Sequence, residues 1–284
     1  MRKTVIFTDL DASLLDYDTY DFSEIKDFVL YLIEKDISII PVTSKTKKET
    51  LKFLEILPKY EGFAVENGGA VYLIDDFEKY IEQKSDITRN NGLIKKTIGT
   101  DIYILKKFLK DFSIKEGLKI KTIFDFPILK LSSILNLSEN ELLDTLDREY
   151  DIPFIIENPE EVKIRKLMEQ ANKKGYRIHV GGRFYHISGD YNKGVAVNFL
   201  KTVYKKKYGD IITIGIGDSL NDLSLLENVE IPILIRKKDL TICKEIKDKI
   251  SKLYITEKPA PLGWREGVKR VLNIDDYDKI SMEV

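Results

Sequence analysis

Aspartate residues stand directly after two apolar segments that have the composition of buried strands. Asp9 and Asp11 follow the run TVIFT, and Asp218 follows the run IITIGI, with Asp222 one helical turn later. Ligands of open α/β sheets bind beyond the carboxyl ends of the strands, which is where these acids are expected to lie. Carboxylates gathered in one place repel one another unless a cation neutralises them. The pattern therefore predicts an acidic site that binds a cation.

The expected cation is Mg2+, because hard carboxylate oxygens suit an ion that binds through one or two carboxylates, water and substrate phosphate. A single aspartate after a strand carries little information, since Asp commonly caps helices and starts turns. The prediction rests on the grouping of acids at neighbouring strands. One cysteine, Cys243, excludes both an intrachain disulfide and a multi-cysteine zinc site.

The elements that must position these acids alternate between strand and helix at both ends of the chain. Near the N-terminus, apolar strands are predicted at 4–8, 37–42 and 63–65, with amphipathic helices at 25–33 and 47–57. The alternation returns later, with predicted elements at 193–204, 211–216, 221–226, 231–235, 253–256 and 264–272. This pattern is typical of the α/β class and predicts a doubly wound, Rossmann-like parallel sheet.

The middle of the chain has a different pattern, in which short helices and strands mix without long apolar runs. Strands are predicted at 118–126 and 154–156, and Ser138 with Glu141 forms a capping box at a helix start. We interpret this part as an inserted α+β cap domain. The predicted division is a core of residues 1–84 and 183–284 with a cap of residues 85–182.

Four segments together resemble the motifs of the haloacid dehalogenase-like phosphatase superfamily. They are VIFTDLDASLLD, Thr43-Ser44 after the second strand, Lys193 at a helix start, and GDSLND at 217–222. Their order, with a long insertion between the second and third, is similar to the Cof-type branch. The chain departs from the usual Gly-Thr at Ala12-Ser13, which keeps the hydroxyl and adds a methyl group at a turn where glycine is freest.

The resemblance implies a phosphatase that forms an aspartyl-phosphate on Asp9. Asp11 would protonate the leaving alkoxide and then act as base on water. Ser44 would donate to a phosphoryl oxygen, and Lys193 would neutralise growing charge and hold Asp9. The residues implied for the Mg2+ site are Asp9, the backbone carbonyl of Asp11, Asp218 and Asp222.

A narrower resemblance concerns the substrate. The segments SKT at 44–46, ENGGA at 66–70, GGRFYHISG at 181–189 and PAPLGW at 259–264 resemble mannosyl-3-phosphoglycerate phosphatases. Such a substrate carries a glycerate carboxylate, which an arginine clamps well. The expected substrate-binding residues are Ser44, Glu66, Asn67 and Arg183. Glu66 is equally well suited to orienting Lys193. We expect His186 to pack or make a buried hydrogen bond, and Trp264 to anchor the last helix.

Composition gives no sign of a nucleic-acid or membrane partner, and a small anionic substrate stays possible. The net charge of -1 provides no basic surface for nucleic acid, and no run approaches the roughly 20 apolar residues that a membrane span needs. A small-molecule phosphate ester and a cytoplasmic location are the expectations. The sequence does not indicate the oligomeric state.

Other functions stay open at this point. They are a different sugar-phosphate phosphatase (for glucosyl-3-phosphoglycerate, sucrose phosphate or hexose phosphate), a phosphomannomutase-like enzyme, and a catalytically idle binding protein that kept the fold. Clustered acids argue against the idle protein, because a fold without catalysis has no physical need for them. A dinucleotide-binding module is disfavoured, since no glycine-rich fingerprint follows the first strand.

Overall fold

The computed structural model describes residues 2–82, 85–180 and 184–274, which form three β-sheets and the helices packed on them. The strands in chain order are β1 (Lys3–Thr8), β2 (Ser38–Pro41), β3 (Gly62–Val65), β4 (Ala70–Ile74), β5 (Ile87–Asn90), β6 (Leu93–Thr97), β7 (Lys119–Thr122), β8 (Asp151–Glu157), β9 (Tyr176–Val180), β10 (Tyr185–Gly189), β11 (Ile211–Gly217), β12 (Ile231–Leu234) and β13 (Tyr254–Ile255). The α-helices are α1 (Lys26–Glu34), α2 (Lys47–Leu54), α3 (Ile102–Glu116), α4 (Ile128–Leu135), α5 (Glu139–Thr145), α6 (Glu161–Lys173), α7 (Lys193–Tyr208), α8 (Leu223–Leu226), α9 (Lys244–Lys249) and α10 (Leu262–Leu272).

The central sheet has the order β13-β12-β11-β1-β2, and each neighbouring pair is parallel. Strand β1 is buried on both faces, as its apolar run predicts. Val5 and Phe7 pack with the apolar face of α7, whereas Ile6 packs on the other side with Phe28 of α1 and Trp264 of α10. Helices therefore cover both faces, and the predicted doubly wound α/β core is confirmed. Because β1 lies between β11 and β2, the residues that follow these three strands meet at one edge.

The predicted strand at 63–65 exists as β3, but its place in the parallel sheet is corrected. It pairs antiparallel with β4 in a second sheet of order β3-β4-β6-β5, and meets the central sheet through one parallel bridge between Val42 and Ala64. The reason is the tight turn that follows it. Glu66 and Asn67 both have positive φ, which reverses the chain so that β4 returns beside β3.

A third, antiparallel sheet of order β7-β8-β10-β9 forms the inserted cap, with α3 and α6 packed on it. The predicted limits of 85 and 182 differ from the strand pairing at both ends. Strands β5 and β6 pair within the second sheet, and β10 pairs with β8 and β9. We propose that the cap extends from about residue 98 to about residue 190.

Local predictions within these domains vary in accuracy. The capping box of Ser138 and Glu141 is confirmed at the start of α5. The strand predicted at 118–126 ends at Thr122, where a turn of 3-10 helix begins. Among the described residues, no helix combines the length and apolar character needed to cross a membrane.

Candidate active site

Asp9 and Asp218 follow the adjacent strands β1 and β11, as the sequence predicts. The amide of Asp9 donates to the carbonyl of Ile216 at 2.9 Å, which continues the parallel ladder to the end of both strands. Both side chains are buried. Carboxylate oxygens of Asp9, Asp218 and Asp222 all lie within 4.8 Å of one another. The strand-end acids thus form one buried group.

Lys193 is the first residue of α7 and is fully buried in this group. Its ammonium donates to Asp9 Oδ1 and to Asp222 Oδ1, each at 2.6 Å. Val197 and Leu200 lie on the same helical stripe and pack against the sheet, so the helix directs Lys193 inwards as well. Burial alone would lower the pKa of Lys193, but the charges of Asp222 and Asp9 raise it above its ordinary value. The lysine therefore stays a cation beside Asp9.

Asp222 is held by backbone groups of the loop after β11. Its Oδ2 accepts from the amides of Asp218 at 3.0 Å and Ser219 at 3.1 Å, while Oδ1 accepts from Lys193. A Cβ on Gly217 would lie 2.3 Å from the Asp222 Cβ, so the close approach requires glycine there. With both oxygens engaged, Asp222 is suited to holding Lys193 and the loop of Asp218 in place.

Burial and mutual repulsion disfavour the ionised forms of Asp9 and Asp218. Burial, reinforced by nearby carboxylates, raises the pKa of Asp9 to about 7 and that of Asp218 to about 8, although Lys193 opposes both shifts. A bound cation would relieve this repulsion. Hard, closely spaced carboxylate oxygens are a donor set that fits Mg2+.

Asp11 lies beside a lysine to which the sequence analysis assigned no role. Lys45 Nζ is 2.9 Å from Asp11 Oδ1 and 4.5 Å from the ring centroid of Tyr20. Burial alone would lower the pKa of Lys45, but the charges of Asp11 and Glu49 raise it above its ordinary value. Lys45 therefore stays charged. The sequence feature that could have indicated Lys45 as a site residue is its position directly after Ser44, beyond the end of β2, the strand next to β1.

Ala12 and Ser13 stand where the family commonly has Gly-Thr. Its φ is 57°, in the left-handed region that glycine adopts freely and alanine adopts at a cost. The neighbouring Ser13 is buried, and its hydroxyl oxygen has no hydrogen-bond partner among the described residues. The chain therefore keeps the backbone turn of the motif with a methyl group added.

Glu66 binds backbone amides of the cap rather than Lys193, the residue that it was considered to orient. Its carboxylate accepts from three consecutive backbone amides of the cap, those of Glu149, Tyr150 and Asp151, each at 2.9 Å. Lys193 is instead held by Asp9 and Asp222. Glu66 thus ties the core to the start of β8.

The other predicted substrate residues have different outcomes. Asn67 Oδ1 accepts from Asn221 Nδ2 at 3.2 Å, which places Asn67 beside the loop that carries Asp222. Ser44 lines a cleft with Asp11. Arg183 lies outside the described residues.

His186 and Trp264 agree with their expected structural roles. His186 Nδ1 lies 2.9 Å from Asp151 Oδ1, and its ring stacks on His179. Trp264 is fully buried, and its indole N–H donates to the Thr8 hydroxyl at 3.0 Å.

A cleft of about 470 Å³ separates the core from the cap beside these residues. Asp11, Ser44 and Lys45 line its core side, and Thr145 and Arg148 line its cap side. Asp218 and Ala12 face a second cavity of about 560 Å³. The first cleft is thus lined by the core and the cap together.

Comparison with known proteins decides the family. Residues 6–252 match the haloacid dehalogenase-like hydrolase family. The chain belongs to that family. The protein named glucosyl-3-phosphoglycerate/mannosyl-3-phosphoglycerate phosphatase of Persephonella marina is 35% identical over 274 residues, which cover 95% of this chain and 97% of that protein. The protein of the same name from Methanococcoides burtonii is 34% identical over 94% of this chain and 96% of its own length.

These relatives and the family identify this haloacid dehalogenase-like chain as a phosphoric monoester hydrolase. Solved structures agree on the fold. BT1666 from Bacteroides thetaiotaomicron superposes with a TM-score of 0.66 at 14% identity, covering 96% of each chain. TM0651 from Thermotoga maritima has a TM-score of 0.61 at 17% identity, covering 95% of this chain and 97% of its own. The predicted family resemblance is confirmed.

Proposed function

We propose that this haloacid dehalogenase-like phosphatase hydrolyses mannosyl-3-phosphoglycerate, with the glucosyl compound as a related substrate, through an aspartyl-phosphate on Asp9. The observation that carries the chemistry is the pair of 2.6 Å contacts from the buried Lys193 to Asp9 and Asp222. They fix one oxygen of Asp9 and leave a cation beside the nucleophile. The names of the two relatives support the substrate.

In the first step, a carboxylate oxygen of Asp9 forms a bond to phosphorus while the ester P–O bond breaks. Asp11 gives its proton to the departing alkoxide, and Lys193 balances charge near Asp9. In the second step, Asp11 takes a proton from water as the water oxygen forms a bond to phosphorus and the bond between the Asp9 oxygen and phosphorus breaks. Inorganic phosphate leaves, and Asp9 returns to its starting state.

Mg2+ is the proposed cofactor. Asp9, Asp218 and the backbone carbonyl of Asp11 would hold it, with Asp222 supporting the loop of Asp218. When bound, it screens the negative charges of the carboxylate and the phosphate from each other. The support is the buried carboxylate group itself and the raised pKa values of Asp9 and Asp218.

The cleft supports a polar substrate with a bulky leaving group. Its lining mixes charged side chains from the core and the cap, and its volume of about 470 Å³ lies within the range of small-molecule sites. Since the cap supplies about a third of the lining residues, it is expected to select the leaving group. The site chemistry alone would accept many phosphate esters.

The test is phosphate release from mannosyl-3-phosphoglycerate, glucosyl-3-phosphoglycerate, sucrose phosphate, hexose phosphates and 3-phosphoglycerate, with and without Mg2+. Asp9→Asn serves as the inactive variant, and Asp111→Asn on the exposed side of α3 is the matched control. We expect Mg2+-dependent turnover that favours the glycosyl-phosphoglycerates and disappears only in Asp9→Asn. Preferred turnover of another ester, or transfer of the phosphoryl group to a sugar, would contradict the substrate assignment.

A further inference from the structure

Arg148 is a cap residue between α5 and β8, and it lines the same cleft as Asp11, Ser44 and Lys45. Its Nε is buried and has no hydrogen-bond partner among the described residues. A buried donor without a partner is uncommon, because leaving it unsatisfied is unfavourable. Arg148 thus lines the cleft while one of its N–H donors is unused.

The carboxylates around Arg148 are committed to other donors. Asp151, Glu66 and Glu49 lie close enough to raise the pKa of Arg148 although burial opposes this. Glu66 accepts three backbone amides, and Asp151 is bonded to His186. These acids stabilise the charge of the arginine while their own oxygens are engaged elsewhere.

Glu49 is engaged in a similar way. It accepts from the amide of Thr46 at 2.8 Å and from the Thr145 hydroxyl at 3.0 Å, which joins α2 of the core to α5 of the cap. Glu49 also acts electrostatically on Lys45. Lys45 and Arg148 thus share one carboxylate neighbour and face one cleft from opposite domains.

We propose that Arg148, with Lys45 opposite it, forms an anion-binding subsite that recognises a carboxylate of the substrate beyond its phosphate. The inference rests on the proposed function and deepens it, since a phosphoglycerate carries such a carboxylate a few bonds from the ester. A planar guanidinium donates to both oxygens of a carboxylate, and a lysine does not reproduce this bidentate geometry. This assigns to Arg148 the recognition role that the sequence analysis placed on Arg183.

Binding of two ligands that differ in one group tests the subsite. 3-Phosphoglycerate and glycerol 3-phosphate differ only in a carboxylate against a hydroxymethyl group, and each is titrated calorimetrically into Asp9→Asn protein with Mg2+, where turnover does not interfere. We expect tighter binding of 3-phosphoglycerate. Adding Arg148→Gln should weaken it about 10- to 100-fold and affect glycerol 3-phosphate less. Arg148→Lys should restore part of the difference.

The controls separate recognition from structure. Arg165→Gln, on the exposed side of α6, should leave both dissociation constants unchanged. Equal weakening of both ligands by Arg148→Gln, no preference before the substitution, or a preference abolished by Arg183→Gln but kept in Arg148→Gln would each overturn the inference. Wild-type turnover of mannosyl-3-phosphoglycerate is measured separately, so failure of the proposed function is distinguishable from failure of the subsite.

Discussion

Trp264 donates its indole N–H to the hydroxyl of Thr8 at 3.0 Å, and both side chains are fully buried. The Thr8 hydroxyl in turn donates to the backbone carbonyl of Asp9 at 2.7 Å. The last helix of the core, α10, is thereby connected through two hydrogen bonds to the residue that we propose as the nucleophile. A contact 256 residues away in sequence thus supports the turn that carries Asp9.

Trp264→Phe is expected to remove the hydrogen bond to Thr8 while keeping an aromatic ring in the core. The ring stays buried, but one donor is lost, so the free energy of unfolding should fall by about 1–2 kcal/mol. Turnover should fall several-fold as the Asp9 turn loosens. Denaturant unfolding and steady-state kinetics of Trp264→Phe, Thr8→Val and the double variant measure the effect. A coupling energy near zero between the two substitutions would contradict a contribution from this hydrogen bond.

Lys193→Met is expected to lower turnover by about 100- to 1,000-fold, because it removes a preorganised charge beside the nucleophile. It also leaves two buried carboxylates without their cation, which should reduce stability by about 3–5 kcal/mol. Kinetics and thermal unfolding are measured on the same preparations. Lys205→Met, on the exposed side of the same helix, is the matched control. Activity within tenfold of wild type would refute the role of Lys193.

Asp218→Asn is expected to separate metal binding from folding. Without Mg2+ the variant should unfold at a higher temperature than wild type, because it removes a buried carboxyl group whose environment disfavours ionisation. With Mg2+ at 100 times its dissociation constant, wild type should gain about 2.7 kcal/mol, and Asp218→Asn much less. Asp248→Asn, exposed in α9, should respond to Mg2+ like wild type. An equal Mg2+ response in Asp218→Asn would exclude Asp218 from the metal site.

Local patterns were sufficient to predict the central sheet. The run TVIFT becomes β1 and IITIGI becomes most of β11, and the acids after them meet because adjacent parallel strands end at one edge. The partner of β3 was not predictable in this way, since the apolar run 63–65 carries no information about which neighbour it pairs with. That choice depends on the positive φ of Glu66 and Asn67 in the following turn.

Lys45 and Arg148 were missed because their places in the cleft depend on tertiary contacts. Lys45 meets Asp11 only once β1 and β2 lie side by side, and Arg148 reaches the cleft from the cap segment between α5 and β8, about 100 residues later. Glu66 was placed near the substrate because the segment ENGGA resembles one in mannosyl-3-phosphoglycerate phosphatases. Its actual partners are amides 83 to 85 residues away. No spacing within the sequence indicates such pairings.

The burial of Glu66 predicts how the free energy of unfolding depends on pH. Burial raises its pKa to about 7 from an ordinary value of 4.5, although Arg148 and the cap amides oppose the shift. The folded protein therefore holds this proton more tightly than the unfolded chain does. The contribution of Glu66 to stability is fully present below about pH 4.5 and is lost as the pH rises through about 7, by up to about 3 kcal/mol.

Glu66→Gln provides the comparison, since glutamine does not titrate and other ionisable groups largely cancel in the difference. The unfolding free energy of wild type minus that of Glu66→Gln should decrease between pH 4.5 and pH 7 and then level off. Glu169→Gln, on the exposed side of α6, should show a difference that hardly changes over the same range. A wild-type advantage that grows with pH would mean that the three amides dominate over burial and hold the pKa of Glu66 below its ordinary value, because ionised oxygens accept hydrogen bonds more strongly.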